Sequence, residues 1–268
     1  MMRFLQISFL AFSAFVSPLV LADFDWDKAL NGAHRAEDNA LRNEYRHPKE
    51  TLEFFGLRPG MTVMEVSPGG GWYTEILAPL LQGQGSFIAA HYDANGGDYA
   101  RRSLGGFLSK LGANGDVYRE VVVGALQPPM AVTPAAPNSV DMALAFRNVH
   151  SWMRMNQEET FFAAIYDALK PGGVLGVVQH RGASDSDIQT MKDSAYVSEE
   201  KVIELAELAG FELDGQSEIN ANARDTKDYP GGVWTLPPVL REGDKNRDVY
   251  LAIGESDRMT LRFKKPME

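Results

Sequence analysis

Cysteine is absent from the 268-residue sequence. Its absence excludes disulfide bonds, a thiol nucleophile and lipid attachment to cysteine. The sequence also lacks a basic run beyond its first few residues, and its net charge is −10. Proteins that bind nucleic acids usually carry a basic patch or stripe, so we expect no nucleic-acid partner. Repeats of solenoid period and long low-complexity tracts are missing as well, which leaves an ordinary globular chain.

The first 22 residues are strongly apolar. "MMRFLQISFLAFSAFVSPLVLA" carries one arginine and then an apolar core, and it ends on Val20-Leu21-Ala22, with small residues where a signal peptidase cleaves. This pattern is typical of a secretory signal peptide over residues 1–22. An uncleaved membrane anchor is the alternative, because the apolar stretch approaches the ~18 residues that a span requires. The first interpretation predicts an exported protein with no stable membrane insertion after cleavage.

Strand-like and helix-like segments alternate through most of the remaining sequence. Apolar runs predict strands at 61–66, 86–92, 118–124, 139–146 and 174–180. Helical spacing predicts helices at 72–81, 99–112, 156–170 and 198–211. The segments 212–219, 249–255 and 259–265 are candidates for the closing strands. The alternation predicts an α/β fold with a doubly wound, mostly parallel sheet and helices on both faces.

Two segments fall outside this alternation. Residues 23–57 are charged and helix-like, and they predict an N-terminal helical extension. In it, Arg42, Arg46 and His47 either cover a ligand pocket or form a solvated charged face, and the charge pattern favours the second. Residues 220–246 are rich in Pro, Gly and Asp and predict a loop insertion, of the kind that often forms a lid. We therefore expect one domain over residues 23–268.

The stretch "EVSPGGGWYTEIL", residues 65–77, places three glycines between the first predicted strand and its helix. In open α/β sheets, ligands bind outside the carboxyl ends of the strands, where the strand order reverses. Gly69, Gly70 and Gly71 should therefore lie where the backbone can approach a ligand closely. A tight strand-to-helix turn without a ligand would also favour glycine, and this alternative stays open.

Three of the five histidines follow predicted strands. His91 ends the second strand, His150 follows the fourth and His180 ends the fifth, so all three should lie near the same edge of the sheet. Imidazole there can act as a general base or bind a metal. The alternative is that each is a loop histidine held by hydrogen bonds. A three-histidine metal site needs ligand distances of about 2 Å, which strands this far apart do not favour, so we predict no metal.

Three motifs together resemble a known family. "VMEVSPGGGWYTEIL", "SVDMALAFRNVHSWM" and "ALKPGGVLGVVQHRG" look like the motifs of class I S-adenosylmethionine-dependent methyltransferases, in order and in spacing. The resemblance covers roughly residues 52–265, and "FRNVH-W" and "GVWTLPP" are similar to segments of exported predicted methyltransferases of bacteria. It implies a seven-stranded Rossmann-like sheet with one antiparallel strand, S-adenosylmethionine at its carboxyl edge, and methyl transfer to a small-molecule acceptor. The signal-peptide pattern in turn predicts a periplasmic or secreted location.

The resemblance also implies roles for individual residues. The catalytic candidates are Asn148 and His150, in the segment that faces the transferred methyl group in many relatives. The cofactor-binding candidates are Glu65, Ser67, Gly69, Gly70, Gly71, His91, Asp93 and Arg147. Glu65 would help to orient the methionine amino group, and the glycines would let the backbone approach the cofactor.

The sequence departs from the family pattern at three places. Ser67 stands where the family has a glycine. By register His91 stands where the family has the acid that binds the ribose hydroxyl groups, and Asp93 follows two residues later. The third strand is not followed by the acid that often meets the adenine amino group. A second function hypothesis therefore remains, namely an exported, non-catalytic ligand-binding protein with a degenerate methyltransferase fold.

Overall fold

Seven strands form one sheet in the computed structural model, which describes residues 23–267. The strands are β1 (Thr62–Val66), β2 (Ser86–His91), β3 (Val121–Ala125), β4 (Val140–Phe146), β5 (Leu169–His180), β6 (Glu212–Ser217) and β7 (Arg258–Lys264). Their order is β3-β2-β1-β4-β5-β7-β6; β7 runs antiparallel to β5 and β6, and all other neighbouring pairs are parallel. The predicted doubly wound, mostly parallel seven-stranded sheet is confirmed. The predicted signal peptide lies outside the described residues.

Helices cover both faces of this sheet. They are α1 (Trp26–Asn31), α2 (Glu37–Ala40), α3 (Asn43–Arg46), α4 (Pro48–Phe55), α5 (Thr74–Leu81), α6 (Asp98–Ala113), α7 (Gly115–Tyr118), α8 (Val149–Arg154), α9 (Glu158–Ala168), α10 (Ile188–Ser194), α11 (Glu199–Leu208) and α12 (Arg247–Ile253). Successive residues of β1 enter opposite cores: Val63 packs with α1, α4, α5 and α6, whereas Met64 packs with α8, α9 and α11. This is why β1 is apolar on both faces.

The segment 249–255 was predicted as a strand and is helical instead, since α12 spans Arg247–Ile253. Val249 and Leu251 are exposed and only Tyr250 among the helix residues is buried. A short apolar run does not by itself distinguish a strand from a helix. The prediction was wrong because it treated these exposed apolar side chains as part of the core.

The strand order reverses at β1, which lies between β2 and β4. The loop 67–71 leaves β1 at that point and leads into α5. The helices α2 and α3 of the N-terminal extension and a 3-10 helix at Gly232–Thr235, within the 220–246 loop, supply further residues to the same region. Among residues 23–267, no helix has the length and apolar character that a membrane span requires.

Candidate functional site

A cavity of about 370 Å³ opens at the carboxyl edge of β1 and β4. The loop after β1, the loop after β4, the N-terminal helices and Trp234 of the long loop form its walls. Six of the ten predicted site residues line it, namely Ser67, Gly69, Gly70, Arg147, Asn148 and His150. The other four, Glu65, Gly71, His91 and Asp93, are not part of the cavity wall. The structure thus brings together the two loops that the sequence analysis singled out.

The glycine loop has two parts with different roles. A Cβ atom added at Gly69 or Gly70 would have no atom within 4 Å, so the backbone there borders open space. A Cβ at Gly71 would lie 3.1 Å from the ring of Phe107 and 3.3 Å from Thr74. Gly71 also has a φ of 77°, which favours glycine. Gly71 therefore serves the turn itself, and Gly69 and Gly70 leave room for a ligand.

Ser67 begins this loop in a left-handed conformation, with a φ of 50°. Its backbone N–H donates to the carbonyl oxygen of Ala90 at 2.9 Å, which ties the loop to β2. Its Oγ is buried at the cavity wall and has no hydrogen-bond partner among the described residues. A buried hydroxyl group without a partner is costly. The hydroxyl group thus remains without a hydrogen-bond partner at the cavity wall.

Glu65 and His91 support the loop from behind. Glu65 is 3% exposed and accepts a hydrogen bond from Thr74 Oγ1 at 2.6 Å, which connects β1 to α5. Burial raises the pKa of Glu65 to about 7. The His91 ring accepts from the Tyr92 N–H at Nδ1, 2.7 Å away, and donates from Nε2 to the carbonyl oxygen of Gly69, 3.1 Å away. Both nitrogens of His91 are therefore occupied, and burial lowers its pKa and keeps it neutral.

Asp93 lies in the turn after β2. Its Oδ1 accepts from the N–H of Asn95 at 2.6 Å, and its own N–H donates to the side-chain oxygen of Gln127 at 2.9 Å. Asp93 is half-buried. It is the acidic residue that follows His91 most closely in sequence, and both nitrogens of His91 already have hydrogen-bond partners.

Asn148 and Arg147 follow β4. The Asn148 Nδ2 donates to the carbonyl oxygen of Val66 at 2.6 Å, which fixes the β4 loop against the end of β1. Arg147 has a φ of 61°, and its N–H donates to the carbonyl oxygen of Val178 at 2.6 Å. Burial and the nearby Arg258 lower the pKa of Arg147 to about 10. Asn148 is thus held by the backbone, and Arg147 contributes a positive charge to the cavity.

His150 lies at the start of α8, and its protonation is set by Gln179. The Gln179 amide donates from Nε2 to the carbonyl oxygen of Ala195 at 3.0 Å, which fixes its orientation, and the same Nε2 lies 3.3 Å from His150 Nδ1. The His150 Nδ1 must then accept, so the proton of the neutral ring is on Nε2. Burial lowers the pKa of His150 from 6.5 to about 4. In this state His150 is a hydrogen-bond donor, and acting as a base would require the other tautomer.

We expect His150 to remain neutral, with its proton on Nε2, from pH 8 down to about pH 5. Its folded pKa lies below the unfolded value, so its contribution to stability is lost as the pH falls from about 6.5 toward 4. Long-range ¹H–¹⁵N correlation spectra of the ring measure the tautomer. Gln179→Leu removes the hydrogen-bond donor to Nδ1, so the ring should no longer favour the tautomer with its proton on Nε2. Gln189 is an exposed glutamine, and Gln189→Leu should leave the tautomer unchanged. A charged ring or an Nδ1–H tautomer at pH 6 in the unmodified protein would contradict this assignment.

His180 faces His150, with the ring centroids 5.6 Å apart. Its Nδ1 lies 2.5 Å from the Ser256 hydroxyl oxygen, and burial holds its pKa well below the usual range. His91 does not join this pair, because its ring is bonded to the glycine loop. Within residues 23–267, no group of three or more His, Cys, Asp or Glu side chains is arranged to hold a metal ion.

Two arginines contribute more to the site than their sequence pattern indicated. Arg42 and Arg46 line the cavity, and Arg46 is only 2% exposed, so the expected solvated charged face is wrong for this pair. Arg46 lies over the ring of Trp72 at 4.5 Å. The two arginines are four residues apart and can therefore share a helix face. This spacing was the one feature of the sequence that indicated that they act together. Glu255, which binds both, is more than 200 residues away and gave no signal.

No protein-family model and no curated protein matches the sequence. Among solved structures, the chain is similar to a SAM-dependent methyltransferase of Aquifex aeolicus (TM-score 0.57, 18% identity, 84% of this chain and 92% of that one). It is also similar to the [4+2]-cyclase SpnF (0.55, 18%, 94% and 89%). A third is a possible exported protein of Bordetella parapertussis (0.50, 16%, 84% and 68%). Structural similarity at such low sequence identity establishes only the fold. The chain has the class I fold of S-adenosylmethionine-dependent methyltransferases.

Proposed function

We propose that this protein is an S-adenosylmethionine-dependent methyltransferase that acts on a small-molecule acceptor. The observation that carries the proposal is the open space over the Gly69–Gly70 backbone, in a cavity at the point where the strand order reverses. Ligands of open α/β sheets bind at that point. The solved neighbour from Aquifex aeolicus has the same fold and is SAM-dependent.

The residues of the cavity fit the methionine half of this cofactor. The bare backbone at Gly69 and Gly70 permits close approach, and the unpartnered Ser67 Oγ offers a hydrogen bond. In this proposal Asp93 binds the ribose hydroxyl groups, because both nitrogens of His91 already have hydrogen-bond partners. Bound there, the cofactor would supply a methyl group that its sulfonium already activates.

The protein then has to hold the acceptor in line with the methyl group and to exclude water. Asn148 is fixed by its bond to Val66, so its amide oxygen has a defined position at the cavity wall. The Nε2–H of His150 donates to an acceptor oxygen and orients it. The apolar part of the cavity wall consists of Trp72, Phe146 and Trp234. An acceptor that is already deprotonated then needs no base, which agrees with the low pKa of His150.

Calorimetry of the 23–268 protein with S-adenosylmethionine and S-adenosylhomocysteine tests the proposal. We expect both to bind with dissociation constants on the order of micromolar, about 8 kcal/mol of binding free energy. Adenosine, which lacks the methionine half, serves as the control and should bind more weakly, because the fitted contacts are at Ser67 and the glycines. No binding at millimolar ligand would overturn the cofactor assignment and favour the non-catalytic alternative.

We further propose that the protein is exported to the periplasm or secreted, with cleavage after Ala22. The support is the signal-peptide pattern of residues 1–22. A solved neighbour described as a possible exported protein agrees with it. Mass spectrometry of the protein recovered from the periplasmic fraction of the expressing bacterium should give Asp23 as the first residue. Recovery in the cytoplasm with Met1 retained would refute export.

A further inference from the structure

Three arginines bind one carboxylate beside the cavity, and a fourth lies close to them. Glu255 is 2% exposed and accepts from Arg42 Nε at 2.5 Å, from Arg46 Nε at 3.2 Å and from Arg258. Arg147 lies in the same wall and interacts electrostatically with both Arg258 and Glu255. The group of four guanidinium groups and one carboxylate carries a net charge of +3. Burial of so much charge of one sign is unfavourable unless a counter-charge is present.

Several nitrogens of this group have no partner. The Nη1 and Nη2 atoms of Arg46 and the Nη2 atom of Arg42 are buried without a hydrogen bond among the described residues. Arg46 is nearly fully buried, and both its terminal nitrogens belong to a side chain that lines the cavity. An unpaired buried donor costs about 1–3 kcal/mol, and more for a charged group. The arrangement is that of a site whose acceptor oxygens come from a ligand.

The guanidinium groups are held in place for such a ligand. Glu255 fixes the Nε edge of Arg42 and Arg46, and the Trp72 ring lies against Arg46 at 4.5 Å. The unpartnered terminal nitrogens, Nη1 and Nη2 of Arg46 and Nη2 of Arg42, then belong to two held side chains that line the cavity. Planar guanidinium groups match carboxylate and phosphate oxygens in paired hydrogen bonds. Burial and the neighbouring arginines also lower the pKa of Arg147 to about 10, and a bound anion would relieve this repulsion.

We propose that the methyl acceptor is an anion whose phosphate or carboxylate oxygens are bound by Arg42, Arg46 and Arg147. The charge of +3 favours a doubly charged oxyanion, such as a phosphomonoester or a dicarboxylate, over a single carboxylate. The identification of this anion as the acceptor rests on the proposed methyltransferase function, whereas binding of the anion does not. An anion there also offsets the positive charge that the sulfonium of the cofactor would bring to the same cavity.

Calorimetry with inorganic phosphate as the probe tests the inference on the 23–268 protein, at low salt and pH 7. We expect phosphate to bind with a millimolar or lower dissociation constant, both alone and with saturating S-adenosylhomocysteine. Arg147→Gln and Arg42→Gln should each weaken binding at least tenfold. Arg35→Gln is the matched control, because Arg35 also lies over the Trp72 ring, at 4.9 Å, but pairs with Glu75 and does not line the cavity. Melting temperatures verify that each variant is folded, and malonate replaces phosphate to test dicarboxylates.

The outcomes separate this inference from the proposed function. S-adenosylhomocysteine binding without phosphate or malonate binding would overturn the anion site and leave the cofactor site standing. Phosphate binding that survives unchanged in both arginine variants would also overturn the anion site. Mutual exclusion of phosphate and S-adenosylhomocysteine would assign the arginines to the carboxylate of the cofactor and overturn the acceptor assignment. Phosphate binding without cofactor binding would support the anion site and refute methyl transfer.

Discussion

Gly70→Val should reduce the affinity for S-adenosylmethionine at least 100-fold, about 2.7 kcal/mol, without loss of fold. Gly70 is not among the glycines with a left-handed backbone, so valine is not strained there. Its Cβ would meet no protein atom within 4 Å, and the new methyl groups would occupy the space over the loop. The protein loses no contact, and the ligand loses its place against the backbone. Calorimetry together with a thermal melt measures both effects on one preparation.

Two other glycines serve as controls for this prediction. Gly106 is an exposed glycine of α6 with open space at its Cβ, so Gly106→Val should leave both binding and folding nearly unchanged. Gly71→Val should lower the melting temperature, because the backbone there is left-handed and Phe107 lies 3.1 Å from the new Cβ. If folded Gly70→Val still binds the cofactor with the original affinity, the ligand does not lie against this loop.

Glu255→Gln should destabilise the fold by about 3–5 kcal/mol. The substitution keeps the shape of the side chain but leaves Arg42, Arg46 and Arg258 without their shared anion, in a region that is largely closed to solvent. Removal of one partner of a buried ion group leaves uncompensated charge, which costs more than the group contributed. Urea unfolding at pH 7 measures the loss. Glu207→Gln, at an exposed glutamate of α11, is the control and should change stability by less than about 0.5 kcal/mol.

The pH dependence gives a second measurement on Glu255. Burial alone would raise its pKa, but Arg258, Arg46 and Arg42 outweigh burial and hold the pKa far below 4.5. A carboxylate with a lowered pKa contributes stability above the unfolded value, and this contribution is lost as the pH falls below about 4.5. The unmodified protein should therefore lose stability steeply in acid, and Glu255→Gln should show a flatter slope there. Equal acid slopes in the two proteins would contradict the assigned role of Glu255.

Local sequence was sufficient for the parallel strands and for the position of the glycine loop, but not for the segment 249–255, which is helical. The apolar run of β1 is buried on both faces, so it identifies a central strand without further information. The glycine run follows this strand closely, Gly69 and Gly70 border open space, and the parallel topology places the loop after β4 beside them. The parallel topology also predicted that the loops after β1 and β4 lie close together, and Ser67, Gly70, Arg147 and His150 of these loops line one cavity. Periodicity and strand polarity are local properties, and they determined this much.

The state of each side chain was decided by contacts that are distant in sequence. The protonation of His150 follows from Gln179 and from a backbone oxygen at Ala195, and the occupied ring of His91 follows from its bond to Gly69. Burial of Arg46 follows from Glu255, 209 residues later. Charge and hydrogen-bond energies depend on distance and on exclusion of water, which arise only when the sheet closes against its helices. The sequence alone therefore determined which loops border the cavity, and the tertiary structure alone decided which of its side-chain atoms already have partners.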